Sequence, residues 1–242
     1  MIAPSGMRSR RTSKETSPLG GSVRASACAE QARTNTLMGM STHPLWRPFD
    51  PEATRLRGLT RVGSRQVSVP GVVAYDAAWL AQFKQIQSML RHALDRQALS
   101  IDHVGSTSVP GLAAKPIIDV DLVVADSADE VTYLPILEAA GFRLIAREPA
   151  WEEHRCVTFG DPNANVHVFT SGAIERARHL VFRDWLVSHH KDRNAYGALK
   201  LGLAGQGFGH GDYNGSKAGF LYDVYEKAFT EDAAHRHDPH PR

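Results

Sequence analysis

The sequence predicts an α+β fold: a mixed β-sheet with flanking helices and a helical cap at its C-terminal end. The first observation is a dense run of β-branched residues over 116–124, which is typical of a buried strand. The second is a set of further short apolar runs in the middle of the chain. The third is helical apolar spacing over most of the last third. Strands that precede helices, rather than alternating with them, favour a mixed sheet covered by a helical layer.

The first predicted elements are a helix and two strands. A helix is predicted over 76–98, beginning at Asp76, which has a side chain preferred at N-caps. Strands are predicted at 100–104 and 116–124. The apolar residues of the helix recur at helical spacing: Trp79, Phe83, Ile86, Met89, Leu90 and Leu94.

The remaining elements follow from the same patterns. A helix over 129–140 is expected to end at Gly141, because glycine is favoured just after a helix. Three strands and three helices complete the prediction. The strands cover 142–147, 154–159 and 166–170, and the helices, which form the predicted cap, cover 174–188, 193–204 and 215–229.

The composition is typical of one globular domain and argues against two kinds of partner. A chain of 242 residues is long enough to bury one good core. Its net charge of +2 gives no bulk attraction to nucleic acid, and no apolar run is long enough to span a bilayer. Cys28 and Cys156 lie in regions of very different character, so we expect no disulfide and a cytoplasmic location.

Composition divides the chain into three parts. Residues 1–65 lack sustained periodicity, which predicts a disordered leader or an annotation extension with the true start at Met38 or Met40. A transit peptide is the alternative, because this part is rich in Arg and poor in acids. Residues 66–230 form the predicted domain, and 231–242 form a polar tail. The tail histidines are expected to be solvated: His235, His237 and His240.

Two carboxylates lie in the strand predicted at 116–124. Side chains alternate along a strand, so Asp119 and Asp121 face the same way, about 7 Å apart. Two adjacent carboxylates repel each other, and a divalent cation removes this repulsion. Mg²⁺ is typically held by one or two carboxylates and substrate phosphates, so the pair predicts a Mg²⁺ site, with Mn²⁺ as an alternative.

A Gly-Ser pair follows the strand predicted at 100–104. Glycine lets backbone N–H groups approach a ligand closely, and a hydroxyl adds a further donor. Gly105 and Ser106 therefore suit a phosphate group. A phosphate cradle beside a carboxylate pair is the arrangement expected of a nucleoside triphosphate site.

These motifs resemble those of the nucleotidyltransferase superfamily of the DNA polymerase β type. More narrowly, the segment HVGSTSVPGLAAKPIIDVDLVV, residues 103–124, is similar to the signature of the GrpB family. The resemblance extends over about residues 72–228. Other matching pieces are Tyr75-Asp76-x-x-Trp79, Asn165-Val166-His167-Val168, Phe182-Arg183-Asp184-Trp185-Leu186, Tyr196-x-x-x-Lys200 and Tyr213-x-x-x-Lys217.

The resemblance implies nucleotidyl transfer from a nucleoside triphosphate to an unknown small-molecule or macromolecular acceptor. Asp119 and Asp121 would hold Mg²⁺ and act in catalysis. In related transferases a third carboxylate occupies a later strand, where this chain has His167, which could ligate a metal or act as a base. The remaining nucleotide-binding candidates are Gly105, Ser106, Lys115, Arg183, Lys200, Tyr213 and Lys217.

Several of these residues have simpler interpretations. Lys115 could contact a phosphate or extend along the surface. Each Tyr-x-x-x-Lys pair places its lysine one helical turn from its tyrosine, which suits either a nucleotide or an ordinary amphipathic helix. Arg183 could clamp a phosphate or pair with Asp184, and His103 is expected to be a packed or a surface strand histidine.

Two other functions remain open. The first is a degenerate transferase fold that binds a nucleotide without turnover, which the missing third carboxylate favours. The second is a phosphatase of the haloacid dehalogenase type, with Asp119 as nucleophile and Asp121 as acid and base. That fold normally begins near its aspartate motif, whereas a helix and a strand precede the motif here.

Overall fold

In the computed structural model, the described residues are 40–50, 59–68, 70–205 and 210–240, and for 210–214 only the backbone is described. The chain divides into two compact units, Met1–Ser41 and Thr42–Arg242. Almost all of the first unit, including Cys28 and most of the predicted leader, lies outside the described residues. The fold described below is that of the second unit.

Six strands and five α-helices are described in this unit. The strands are β1 (Thr60–Arg61), β2 (Ser100–Val104), β3 (Ile118–Val124), β4 (Arg143–Glu148), β5 (His154–Phe159) and β6 (Ala164–Thr170). The helices are α1 (Ala78–Leu94), α2 (Glu130–Ala139), α3 (Ile174–Ser188), α4 (His190–Gly205) and α5 (His210–Glu231).

The strands form one mixed sheet in the order β1-β4-β5-β6-β3-β2. Only β3 and β6 are parallel among the paired strands of the described chain, and the other pairs are antiparallel. Helices α3, α4 and α5 follow the last strand. The predicted α+β fold, with its mixed sheet and C-terminal helical cap, is confirmed.

The main core lies between one face of the sheet and helices α1 and α2. On β3, Ile118, Val120 and Leu122 are buried against this core. Because strand side chains alternate, Asp119 and Asp121 point to the opposite face. The apolar face of β3 therefore determines where its two carboxylates lie.

The helical cap has a core of its own. Trp185 and Leu186 of α3 pack with Tyr196 of α4 and Val224 of α5. Val109, which follows β2, belongs to the same cluster. This cluster joins the three helices to the chain segment between β2 and β3, beside the polar face of the sheet.

The compact unit begins earlier than the boundary predicted at residue 65. The Trp46 indole N–H donates to Oε1 of Glu226 on α5 at 2.7 Å, and Arg178 on α3 donates to the Leu45 carbonyl at 2.6 Å. Strand β1 pairs with β4. The sequence of this segment shows no hydrophobic periodicity, because a few separate contacts, rather than an amphipathic helix or strand, hold it to the rest of the unit.

Part of the C-terminal tail is also ordered against α5. His237 and His240 are buried, so the prediction that they are solvated is wrong, whereas His235 is exposed. The Cys156 thiol is free and buried. Within the described residues, no helix combines the length and hydropathy needed to cross a membrane.

Candidate active site on the polar face of the sheet

The polar face of β3 gathers side chains from its two neighbouring strands. Asp119 lies beside Asn165 of β6, and Asp121 lies beside His167 of the same strand. On the other side, Asp121 is directly opposite Asp102 of β2. Residues directly opposite each other share a face, so these five side chains form one polar surface.

Asp119 is the centre of this surface. The Asn165 amide donates to Oδ1 of Asp119 at 2.7 Å, and Nε2 of His167 lies 3.7 Å from the same oxygen. Arg65 fixes the orientation of Asn165 by donating to its side-chain oxygen. Burial acts to raise the pKa of Asp119, but His167, Asn165 and the charge of Lys217 outweigh it and hold that pKa below its usual value.

The turn after β2 meets Asp119 directly. Gly105 has a φ of +71°, and a Cβ at this position would lie 2.5 Å from Oδ2 of Asp119. Only glycine fits such a conformation and such a close approach. Ser106 begins the short 3₁₀ turn that follows. The structure thus brings the predicted phosphate cradle and the first predicted metal ligand together.

Asp121 is fully buried and already has a strong partner. Nδ1 of His179, on α3, lies 3.1 and 3.0 Å from the two carboxylate oxygens of Asp121. Burial acts to lower the pKa of His179, but the charge of Asp121 and its hydrogen bond outweigh this effect and raise that pKa. The sequence interpretation missed His179. The available signal was the spacing of Arg176, His179 and Arg183, which places them on one face of α3.

His167 is joined to two further residues that sequence reasoning missed. Nε2 of His154 lies 3.0 Å from Nδ1 of His167, and Nδ1 of His154 lies 2.8 Å from Oε2 of Glu148. His154 is buried, and burial lowers its pKa to about 4. The structure therefore places a neutral histidine between a carboxylate and His167.

A third carboxylate, Asp102, is present on the face but comes from β2. Its Oδ2 accepts hydrogen bonds from Arg176 at 2.7 Å and from Ser100 at 2.8 Å. Asp102 lies within a strand that the sequence predicts, but the strand register that places it opposite Asp121 could not be predicted from the sequence.

Lysine side chains supply positive charge near Asp119. Lys200 is 3% exposed, and its ammonium has no hydrogen-bond partner within the described part of the chain. Its Nζ lies 4.7 Å from the centroid of the Tyr196 ring. Burial and the nearby charge of Lys217 lower the pKa of Lys200 to about 7, while Asp119 acts in the opposite direction.

Lys217 and Lys115 belong to the same electrostatic neighbourhood. Burial lowers the pKa of Lys217 to about 8, with Asp119 opposing this effect and Lys115 adding to it. The three predicted phosphate-binding lysines, including Lys200, therefore lie within electrostatic reach of one another or of Asp119. Buried like charges repel, so an anion bound among them would be stabilised.

Other predicted nucleotide contacts have structural partners or lie outside the described residues. Arg183 donates to the His103 carbonyl at 3.1 Å and to Asp184 at 2.7 Å. Tyr196 is buried in the helical cluster, and nothing is described of the Tyr213 side chain. His103 stacks on Phe83 with ring centroids 4.5 Å apart, as expected of a packed strand histidine.

The carboxylates fit a divalent cation in part. Asp119 presents a partly exposed carboxylate beside the Gly105 turn, whereas Asp121 must share its oxygens with His179. Among the described residues, neither aspartate belongs to a group of three protein ligands whose donor atoms lie within 4.8 Å of one another. A bound Mg²⁺ would therefore take most of its ligands from phosphate oxygens and water, as is common for this ion.

Comparison with known proteins gives a consistent family. Residues 70–227 match the model of the family described as GrpB protein. A UPF0157 protein of Halalkalibacterium halodurans is 50% identical over 133 residues, which cover 55% of this chain and 68% of that protein. The crystal structure of conserved protein GrpB from Enterococcus faecalis matches with a TM-score of 0.56 and 30% identity, over 65% of this chain and 96% of that chain.

A further relative has a larger architecture. A protein of Mycolicibacterium paratuberculosis named dephospho-CoA kinase is 31% identical over 198 residues. The match covers 69% of this chain but only 48% of that protein.

Proposed function

We propose that this chain, which belongs to the GrpB family, is a magnesium-dependent nucleotidyltransferase that moves a nucleotidyl group from a nucleoside triphosphate to the hydroxyl group of an acceptor. The observation that carries the proposal is the buried ammonium of Lys200, which has no hydrogen-bond partner among the described residues and whose charge interacts with that of Asp119. A buried cation without a partner is costly. A triphosphate with its metal ion is a ligand that complements both the lysines and the aspartates.

Each part of the site has a role in this reaction. Gly105 and Ser106 offer the turn for the β- and γ-phosphates, and Lys200 and Lys217 neutralise phosphate oxygens. Asp119, with Asp121, would hold the magnesium ion, which supplies charge stabilisation as pyrophosphate leaves.

The chemical step is an in-line displacement. The acceptor oxygen forms a bond to the α-phosphorus, the bond from that phosphorus to the bridging oxygen breaks, and pyrophosphate leaves. The acceptor proton passes to Nε2 of His167, which lies 3.7 Å from Asp119. His167 thus takes the role of a base at the position where related transferases have a third carboxylate.

One observation supports a second candidate, a nucleotide-binding protein without turnover. His179 engages both oxygens of Asp121, which competes with a metal ion. The phosphatase interpretation has less support, because helix α1 and strand β2 precede the aspartate strand, whereas that fold normally begins near its aspartate motif. The relatives named dephospho-CoA kinase suggest an acceptor from nucleotide or coenzyme metabolism.

Calorimetry with a nucleoside triphosphate and Mg²⁺ tests the proposed site. We expect binding that Asp119→Asn and Asp121→Asn both weaken, because each removes a negative charge that the metal ion requires. Asp129→Asn, at an exposed helix start, is the matched control and should bind as the wild type does. Unchanged affinity in both site variants would refute the site.

Turnover separates the transferase from the binding protein. Pyrophosphate release from labelled triphosphate in the presence of a metabolite pool is expected for the wild type. Binding without any release of pyrophosphate would favour the degenerate protein. A trapped aspartyl phosphate would instead favour the phosphatase.

A further inference from the structure

A second cluster of metal-ligand side chains lies at the far end of α5. It consists of Glu226, His237 and His240, which we call the C-terminal histidine cluster. Nε2 of His237 lies 3.1 Å from Oε2 of Glu226, and Nδ1 of His240 lies 3.9 Å from the same oxygen. One donor atom from each residue lies within 4.8 Å of the others.

His240 supplies an independent observation. Its side chain is 2% exposed, yet neither ring nitrogen has a hydrogen-bond partner among the described residues. A neutral imidazole has one donor and one acceptor nitrogen, and leaving both unsatisfied in a buried site is unfavourable. Buried polar groups without a hydrogen-bond partner are rare in folded proteins, and a bound ion would supply the missing partner.

We propose that Glu226, His237 and His240 bind a zinc-class divalent cation. For tetrahedral zinc with bonds of about 2.1 Å, two ligand atoms are separated by about 3.4 Å. The two distances from Glu226, 3.1 and 3.9 Å, lie on either side of this value. Two imidazoles and one carboxylate suit Zn²⁺ better than Mg²⁺ or Ca²⁺, which favour oxygen ligands. A water molecule would supply the fourth ligand.

The hydrogen bond of His237 defines what the ion must displace. Nδ1 of His237 accepts from the His43 backbone N–H at 3.2 Å, so the neutral ring carries its proton on Nε2 and donates it to Glu226. The cation takes the place of that proton on Nε2, and the proton moves to Nδ1, so that the ring stays neutral. The His43 backbone N–H then loses its acceptor, and the contact lengthens.

An ion bound at the C-terminal histidine cluster would connect separate parts of the chain. Glu226 also accepts hydrogen bonds from the Trp46 indole and from the His240 backbone N–H. An ion here would join α5, the tail and the segment 42–50. Lys217 precedes Glu226 by nine residues on the same helix, about 14 Å along its axis. The cluster is therefore separate from the proposed nucleotide site.

A neighbouring group is the natural competitor. His43, Asp232 and His235 also bring donor atoms within 4.8 Å of one another. In that group, His235 is exposed, and both ring nitrogens of His43 have hydrogen-bond partners. Among the described residues of this group, no buried ring nitrogen lacks a hydrogen-bond partner, so the group gives no sign of a bound ion.

Zinc calorimetry and thermal denaturation of the full chain, after removal of metal by a chelator, test the proposal. We expect one equivalent of Zn²⁺ to bind and to raise the melting temperature. His240→Ala should weaken Zn²⁺ binding at least tenfold and abolish most of the rise. His92→Ala, at an exposed position on α1, is the matched control and should leave both unchanged.

A second variant and a spectroscopic readout keep the test decisive. His235→Ala removes a ligand of the neighbouring group only, so it should retain zinc binding. Co²⁺ in place of Zn²⁺ should give the visible absorption of a tetrahedral site, and His240→Ala should remove it. The proposal is overturned if the wild type takes up no zinc, if His240→Ala binds as the wild type does, or if binding is lost in His235→Ala instead.

Discussion

Nε2 of His154 lies 3.0 Å from Nδ1 of His167, and this contact links the partly buried Glu148 to the polar face of β3. Glu148 accepts the Nδ1 proton of His154 at 2.8 Å, so Nε2 of neutral His154 has a free lone pair. That lone pair accepts the Nδ1 proton of His167. Nε2 of neutral His167 is then left without a proton, facing Asp119.

The first prediction concerns this tautomer. Nitrogen-15 NMR of labelled protein near neutral pH should show His167 with its proton on Nδ1. Glu148→Ala removes the group that orients His154, so both tautomers of His167 should then be populated. Glu138→Ala, at an exposed position on α2, should leave the wild-type tautomer in place. A wild-type His167 that carries its proton only on Nε2 would contradict the hydrogen-bond order.

Local sequence pattern was enough to predict β3 and its two aspartates. The run of β-branched residues indicated the strand, and alternation along it placed Asp119 and Asp121 on one face. Local sequence pattern could not predict the partners of those two aspartates. His179 reaches Asp121 only because α3 packs over the sheet, and Asp102 faces Asp121 only through strand register.

The second prediction concerns the buried ammonium of Lys200. Its pKa in the folded state is about 7, below the ordinary value of 10.5, so the unfolded chain binds more protons between these pH values. The free energy of unfolding should therefore rise with pH from about 7 to 10.5. Lys200→Met should raise stability at pH 7 and reduce this slope, by at most about 1.4 kcal/mol per pH unit. Urea denaturation at pH 7, 8 and 9 measures both effects.

The same substitution separates a ligand-binding lysine from a structural one. Loss of a charge-assisted contact to phosphate is worth roughly 1.5–3 kcal/mol, so triphosphate affinity should fall about tenfold to a hundredfold. Lys217→Ala should act in the same direction. Lys191→Met, at an exposed position, should change neither stability nor affinity appreciably. A Lys200→Met protein with lower stability and full affinity would refute the role given to this lysine.

The third prediction concerns the start of α3. Both carboxylate oxygens of Glu152 accept backbone N–H groups there, from Ile174 at 3.1 Å and from Glu175 at 2.9 Å. Glu152 has a φ of +53°, which is unfavourable for a side chain of this kind, so the cap must offset the strain. Glu152→Ala should lower the free energy of unfolding by about 1–2 kcal/mol in urea denaturation.

The hydrogen bonds and the charge of Glu152 together predict a variant of intermediate stability. Glu152→Gln keeps one oxygen that can accept a hydrogen bond but removes the charge that favours a helix N-terminus. Its stability should lie between those of the wild type and Glu152→Ala. Equal stability for all three proteins would mean that the contacts to Ile174 and Glu175 contribute nothing.

The last prediction tests the contact between the phosphate-binding turn and Asp119. In Gly105→Ala, the new Cβ would lie only 2.5 Å from Oδ2 of Asp119, at a φ of +71°. Gly172→Ala is a matched control, because Gly172 has a φ of +86° with no atom within 4 Å of its Cβ position. Both variants incur a backbone penalty of about 1–3 kcal/mol, because a side chain is unfavourable at a positive φ. Only Gly105→Ala should also displace the Asp119 carboxylate.

We therefore expect Gly105→Ala to be the less stable variant and to lose metal-dependent triphosphate binding in calorimetry, whereas Gly172→Ala should bind normally. If the two variants bound triphosphate equally well, the close approach of Gly105 to Asp119 would have no part in ligand binding.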